Sequence, residues 1–206
     1  QWQESQTNLG GYLDLYQIHS ATLDSGVLDD HAVQPELGRL KAAGTRIGLT
    51  LSGPRQAVTL EKALTLQVDG VRLFDAVQAT WNPLEPSCGS ALETAHREGL
   101  AVIIKEALAN GRLTERNQAE TFRARRQLLE TLAGRFDTSL DAVALAAPLA
   151  RPWASVVLSG AATEAQLQSN LNAMAIPWDA EAEALIGTLA EHPTAYWQTR
   201  ARLVWN

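Results

Sequence analysis

The residue types that could do chemistry lie at the ends of apolar, strand-like segments. His19 follows one such segment and offers an imidazole, the side chain that changes charge most readily near neutral pH. Hydroxyls, amides and carboxylates follow four others. The five groups are His19-Ser20, Ser52-Gly53, Gln78 to Asn82, Glu106 to Thr114, and Ser159 to Thr163. Because function lies at the carboxyl ends of the strands in parallel α/β folds, the pattern predicts a ligand site built from several strand ends.

The elements that would position these groups alternate along the chain, with strand-like runs recurring at about 30 residues, the length of one βα unit. Strands are predicted at 11–19, 46–51, 74–80, 101–105 and 154–158. Helices are predicted near 35–43, 56–66, 90–98, 119–133, 139–149, 164–173 and 180–190. No Pro-, Gly- or Ser-rich linker interrupts the series, so residues 1–206 are predicted to form a single domain. The pattern fits either an open doubly wound sheet or part of a (β/α)8 barrel, and the missing Gly-rich dinucleotide fingerprint disfavours a Rossmann fold.

Four segments resemble motifs of the aldo-keto reductase family, in the family's order and with fitting spacing. They are residues 14–19, similar to the end of the fourth barrel strand, residues 74–82, similar to the sixth, residues 107–113, similar to the loop after the seventh, and residues 159–170, similar to the eighth strand and its helix. The stretch from Tyr196-Trp197 to Trp205-Asn206 also suits the family's C-terminal tail. Each motif alone is weak, and together they extend over nearly the whole chain.

The resemblance implies an α/β fold, a (β/α)8 TIM barrel of which this chain supplies strands four to eight and lacks about three N-terminal βα units. The absence of an initiator Met fits that expectation. The implied activity is NAD(P)H-dependent reduction of aldehyde, ketone or sugar-like carbonyls by hydride transfer. The family's catalytic Asp, Tyr and Lys would lie in the missing part, so the segment alone is expected to be inactive. The alternative is an inactive remnant that binds a nucleotide or acts as a scaffold.

The resemblance also assigns roles to individual residues. His19 is the catalytic histidine, which orients or polarises the carbonyl, with a structural histidine as the alternative. Gln78, costly to bury without a partner, and Ser52 would hold the nicotinamide carboxamide, while Trp81 would line the substrate pocket. The remaining cofactor-binding residues are Glu106, Leu108, Asn110, Ser159, Gly160, Ala161, Thr163, Gln166 and Asn170. Gln166 and Asn170 are four residues apart and share a helix face, which is either an adenosine contact or solvated surface.

The chain departs from the family pattern at three places. Lys105-Glu106 stands where the family often has a tyrosine that stacks on the nicotinamide, and Ser52-Gly53 stands where it commonly has Ser-Asn. Gly160 to Ala162 carry no cation for a 2′-phosphate, although helix N-terminal amides near Thr163 could bind one. NADP is therefore expected only because the family commonly uses it, and NAD is the alternative.

Composition and charge limit the partners. The formal net charge is −6 without a Lys- or Arg-rich patch, so nucleic acid is not expected. No apolar run is long enough to span a membrane, and no metal site is expected, because His31, His96 and His192 lack metal-ligand spacing. The single cysteine, Cys88, fits a reducing compartment, and a cytoplasmic location is predicted. The expected partner is a small-molecule carbonyl substrate, and the oligomeric state is not predicted.

Overall fold

The structure, a computed structural model, describes residues 1–203; the end of the predicted tail, Val204 to Asn206, lies outside the described residues. The chain folds into two compact units. Unit 1 comprises residues 1–79 and 90–102, and unit 2 comprises residues 80–89 and those from 103 onwards. The single domain expected for residues 1–206 stays a prediction.

The strands and helices that the sequence predicts occur in the predicted order. The elements are α1 (Trp2–Leu9), β1 (Leu15–Ala21), α2 (Val33–Ala42), β2 (Arg46–Leu51), α3 (Gln56–Leu64), β3 (Gln67–Val68), β4 (Val71–Arg72), β5 (Ala76–Thr80), α4 (Gly89–Arg97), β6 (Ala101–Lys105), α5 (Arg123–Arg135), α6 (Leu140–Leu149), β7 (Val156–Val157), α7 (Glu164–Leu171), α8 (Ala180–Gly187) and α9 (Pro193–Ala201). Short 3-10 turns join several of them.

In unit 1, the parallel strands β1, β2 and β5 are neighbours in that order. Leu49, at the centre of β2, pairs with Ile18 of β1 and with Val77 of β5. Side chains alternate between the two faces of a strand, and Leu49, Val77 and Ile47 are fully buried. This face of the unit 1 sheet is therefore apolar.

The other face of the unit 1 strands carries polar groups. Gln17 is in register with Gly48 and Ala76, and Thr50 is in register with Gln78. A larger residue at position 48 would be crowded, because an added Cβ would lie 3.0 Å from Cγ of Gln17 and 3.1 Å from the carbonyl oxygen of Ala76. The sheet of unit 1 thus presents amides and a hydroxyl on one side.

In unit 2, β6 and β7 pair in parallel, with Ile103 beside Val156. Helix α6 is apolar almost throughout and is buried on nearly all sides. Its N-cap is Ser139, whose hydroxyl accepts the N–H of Ala142. It packs against α5 and α7. The core of unit 2 therefore forms around α6, whose sequence has too little polarity for a surface helix.

The structure corrects several element boundaries and adds elements that the sequence analysis does not predict. β1 begins at Leu15 because residues 10–12 form a 3-10 turn, and β7 is only two residues long. The hairpin β3–β4 is one addition; its turn residues Asp69 and Gly70 both have positive φ, as a type I′ turn requires. Helix α9 is another, although Pro193 occupies its first turn, where proline is favoured.

Candidate functional site

Strand β1 ends in a bulge that contains the predicted catalytic histidine. The register against β2 shifts between Ile18 and Ala21, so His19 and Ser20 together lie opposite Thr50. The N–H of Ser20 donates to Thr50 Oγ1 at 2.8 Å, and Ser20 has a φ of 52°. A bulge redirects side chains, and a non-glycine residue at positive φ carries strain of a kind that collects at functional sites. The end of β1 is therefore the distorted part of this strand.

The imidazole of His19 is exposed and has one polar neighbour among residues 1–203. Its Nε2 lies 3.4 Å from Ser20 Oγ, a long contact for a hydrogen bond. An exposed imidazole at the carboxyl end of a parallel strand can donate a hydrogen bond to a ligand's carbonyl oxygen.

The two predicted carboxamide contacts also lie in unit 1, Ser52 directly after β2 and Gln78 at the centre of β5. Gln78 is half-buried on the polar face, and its side-chain amide makes no hydrogen bond with the described residues. Ser52 is half-buried and directly follows β2. Gly53 has a φ of 86°, a left-handed conformation that glycine adopts freely.

In unit 2, the segment after β6, here called the β6 loop (residues 106–114), begins with a bound carboxylate. The Arg200 guanidinium of α9 donates to Glu106 through Nη2 at 2.6 Å and Nε at 3.1 Å. Asn110 Nδ2 donates to the same carboxylate at 3.1 Å, and Asn82 Nδ2 donates to the Glu106 carbonyl at 2.9 Å. The Glu106 side chain, predicted to contact the cofactor, is thus already bound by protein groups.

A second ion pair fixes the middle of the β6 loop. Arg112 and Glu191 form two hydrogen bonds of 2.6 and 3.1 Å, and each side chain is only 11% exposed. The Arg112 guanidinium also lies 5.5 Å from the centre of the Tyr196 ring, and the Tyr196 hydroxyl accepts a hydrogen bond from Asn82. Burial raises the pKa of Tyr196 well above its usual range, with the Asn82 hydrogen bond acting in the opposite direction. The residues around α9 therefore anchor this loop.

The backbone of the β6 loop is strained. Glu106, Ala109 and Asn110 have φ values of 56°, 48° and 54°, which non-glycine residues rarely adopt. The N–H groups of Ala107 and Leu108 donate to no group among the described residues, and phosphate oxygens are good acceptors for such amides. The loop has backbone donors without a partner among the described residues, beside the predicted cofactor contacts Leu108 and Asn110.

The segment after β7, here called the β7 loop (residues 159–163), leads into a capped helix. Thr163 Oγ1 accepts the N–H of Gln166 at 3.2 Å, and Gln166 Oε1 accepts the N–H groups of Ala162 and Thr163 at 2.8 and 3.2 Å. This reciprocal capping box begins α7. Thr163 and Gln166, both predicted cofactor contacts, therefore have a structural role in the helix start.

Asn170 connects α7 back to the β7 loop. Its Nδ2 donates to the Ser159 carbonyl at 3.0 Å, and the Ala161 N–H lies 3.3 Å from Ser159 Oγ. Asn170 is only 6% exposed, and its Oδ1 is buried with no hydrogen-bond partner among residues 1–203. Gly160 supplies the positive φ of 64° that the turn needs. A buried amide oxygen without a donor is costly, so it marks a place where a ligand donor would be favourable.

Trp81, predicted to line a substrate pocket, lies in the core of unit 2. It is 5% exposed and makes an edge-to-face contact with Trp153 at 5.7 Å. The Arg151 guanidinium lies 4.8 Å from the centre of its ring. Packing accounts for these contacts, and the pocket role stays a prediction.

Among residues 1–203, no cluster of three or more His, Cys, Asp and Glu side chains is arranged to hold a metal ion. The same part of the chain contains no helix with the length and apolarity that a bilayer span requires.

The chain belongs to the aldo/keto reductase family, whose model matches residues 1–191. Among solved structures it is similar to the aldo-keto reductase AKR11C1 from Bacillus halodurans in its apo form, with 23% identity, a TM-score of 0.71 and coverage of 92% of this chain and 66% of that one. The holo form gives 22% identity, a TM-score of 0.69, and coverage of 92% and 65%. The thermostable aldo-keto reductase Tm1743, in complex with the inhibitor epalrestat, gives 20% identity, a TM-score of 0.61, and coverage of 85% and 59%.

These comparisons confirm the predicted family and fold class. The chain has the parallel α/β fold of these barrels and spans 66% of the length of the first structure, so the barrel is incomplete within these residues. No curated protein sequence matches the chain.

Proposed function

We propose that this chain forms part of an NAD(P)H-dependent oxidoreductase that reduces aldehyde or ketone carbonyls, sugar-like ones included, by hydride transfer. The observation that carries the proposal is the exposed imidazole of His19 in the bulge at the carboxyl end of β1. Family membership supports the reaction type. NADP is the proposed cofactor, with NAD as the alternative.

Bound NAD(P)H would supply the hydride. His19 would donate a hydrogen bond to the oxygen of the substrate carbonyl, which makes the carbonyl carbon more electrophilic and orients it. In unit 1, the free amide of Gln78 can both donate to and accept from the carboxamide of a nicotinamide, and the Ser52 hydroxyl can supply a second contact.

The groups of unit 2 fit the rest of the cofactor. The Leu108 N–H can donate to a phosphate oxygen, and the unpartnered Asn170 Oδ1 can accept from an exocyclic amine such as that of adenine. Asn110 lies two residues after Leu108, and the Ser159 carbonyl accepts a hydrogen bond from Asn170. Asn110, Ser159, Gly160 and Ala161 are therefore proposed contacts as well. Glu106, Thr163 and Gln166 would act through the loop and helix start that they fix.

The substrate is a small carbonyl compound, and we propose a cytoplasmic location. Cys88 is buried and forms no disulfide, which is compatible with a reducing compartment.

The test uses the full-length protein of which this chain is proposed to form part, and it separates cofactor binding from turnover. Binding of NADPH and NADH is measured by fluorescence titration, and their oxidation is followed with a panel of aldehydes and ketones. His19→Ala should lower kcat/KM by about 100-fold or more, with an unchanged Kd for the cofactor, because it removes only the contact to the carbonyl. His31→Ala, which removes another exposed histidine of unit 1, is the matched control.

Equal kcat/KM in wild type and His19→Ala would refute the role of His19. Cofactor binding without turnover would favour the inactive nucleotide-binding alternative. Absence of binding to either nucleotide would refute the proposed function of this chain.

A further inference from the structure

The chain has three lysines, and one of them has surroundings unlike those of the other two. Lys41 Nζ lies 2.6 Å from a carboxylate oxygen of Asp75, and Lys62 Nζ lies 2.5 Å from one of Asp29. Lys105 Nζ makes no hydrogen bond or ion pair with any of residues 1–203. Two lysines are therefore neutralised by carboxylates, and Lys105 is not.

Lys105 is the last residue of β6 and is half-buried. By the alternation along the strand it lies on the face opposite the buried side chains of Val102 and Ile104. The adjacent carboxylate, Glu106, is bound by the Arg200 guanidinium and so does not form an ion pair with the amine. The lysine is thus a partly desolvated cation without its own counter-ion.

This environment favours the uncharged amine. Burial lowers the pKa of Lys105; the nearby Glu106 charge raises it, and the Arg200 charge lowers it further. An uncharged lysine amine is a nucleophile, and desolvation is one of the ways in which proteins activate lysine for reaction with carbonyl groups. The carboxyl end of a parallel strand is where a barrel of this kind presents its reactive groups.

We propose that Lys105 is a reactive amine that forms an imine with aldehydes. The Nζ lone pair attacks the carbonyl carbon, a C–N bond forms, and the former carbonyl oxygen takes up a proton. Loss of that oxygen as water gives the C=N bond of a protonated imine, and hydrolysis reverses the step. No electron transfer is involved, and neither the nucleotide nor His19 takes part, so this activity does not rest on the proposed reductase function.

The test uses butanal and sodium cyanoborohydride at neutral pH, without nucleotide. Cyanoborohydride reduces any imine to a stable butyl-lysine, which is located by peptide mass mapping over time. We expect Lys105 to be modified several times faster than Lys41 and Lys62, which serve as internal references in the same molecule. Labelling of Lys105 at the same rate as these two, or more slowly, overturns the proposal.

Two variants identify the fast-reacting group. Lys105→Arg keeps the positive charge without a nucleophilic amine, and Lys105→Met keeps the length of the side chain without charge. Both should abolish the fast phase, whereas Lys62→Arg should leave it unchanged. Persistence of the fast phase in either Lys105 variant refutes the assignment. Failure of the NADPH assays leaves this labelling result unaffected, so the two proposals fail separately.

Discussion

The two loops that follow β6 and β7 in unit 2 are fixed by different kinds of interaction. The β6 loop is held by charged pairs, Glu106 with Arg200 and Arg112 with Glu191. The β7 loop contains no charged side chain and is held by neutral hydrogen bonds, such as the one from Asn170 to the Ser159 carbonyl. Both loops are predicted to contact the cofactor.

The kind of interaction that holds each loop corresponds to the strain in its backbone. Three non-glycine residues of the β6 loop have positive φ, each costing on the order of 1–3 kcal/mol, whereas the positive φ in the β7 loop belongs to Gly160, where it costs little. A strained conformation persists only when surrounding contacts fix it. Buried bidentate ion pairs have the directional geometry to do so, and the relaxed β7 loop needs only a helix cap and one amide.

The largest effect is expected where the most buried ion pair of the β6 loop is broken. Arg112→Ala should reduce the free energy of unfolding by about 3 kcal/mol, because it removes both hydrogen bonds to the buried Glu191 carboxylate and leaves, among residues 1–203, only the longer pair with Arg125, at 3.7 Å. Urea denaturation measures the change. Arg123→Ala is the control, since its pair with Glu120 is 69% and 76% exposed and should cost less than about 0.5 kcal/mol. Equal effects would mean that the buried pair does not fix the loop.

A somewhat smaller effect is expected at the start of the same loop. Arg200→Ala should cost about 2 kcal/mol, because Glu106 is 11% exposed and, among residues 1–203, its carboxylate then keeps only the hydrogen bond from the Asn110 amide. Arg200→Lys should recover part of the loss, since an ammonium keeps the charge but cannot form both hydrogen bonds. Full recovery by lysine would show that charge alone, without the bidentate geometry, is sufficient.

The contribution of Tyr196 to the stability of the fold should be measurable at alkaline pH. The pKa of Tyr196 is higher in the folded chain than in the unfolded chain. The protonated hydroxyl therefore contributes fully to the free energy of unfolding below the ordinary tyrosine pKa of about 10, and this contribution is lost as the pH rises beyond that value. Between pH 10 and 11 this loss approaches a slope of about 1.4 kcal/mol per pH unit. Tyr196→Phe should reduce the slope, and Tyr12→Phe, at a side chain 91% exposed, should not. Equal slopes in the two variants would contradict this account.

The smallest effect is expected in the β7 loop. Thr163→Ala removes the cap of α7 and should cost about 1 kcal/mol, measured as faster hydrogen exchange of the first turn of α7. Thr163→Ser keeps the hydroxyl and should behave like wild type. A loss of stability as large as that of Arg112→Ala would contradict the view that the β7 loop depends on its hydrogen bonds less than the β6 loop depends on its ion pairs.

The sequence pattern is sufficient to predict an element where residues close in sequence determine its structure. The strands Arg46–Leu51 and Ala101–Lys105 have the bounds that the sequence predicts, because apolar runs between turn signals identify buried strands. The hairpin around Asp69-Gly70 has a clear local signal in that dipeptide and is still not predicted, because its strands are only two residues long.

The partners of the β6 loop cannot be predicted in the same way. Glu191 lies 79 residues from Arg112, and Arg200 lies 94 residues from Glu106. No periodicity relates such positions, and the helix that contains Arg200 is not predicted from the sequence. Glu106 therefore resembles a free cofactor ligand in the sequence, and only folding brings a guanidinium to it.

The sequence by itself determined the family, the parallel α/β class and the positions of His19 near the end of its strand, Gln78 within its strand and Asn170 on the helix that follows β7. These depend on motifs and on alternation along the chain, which are local properties. Only the tertiary structure decided which polar groups are already bound and which are free. That distinction depends on burial and on partners far away in sequence, and it separates the bound carboxylate of Glu106 from the unpaired amine of Lys105.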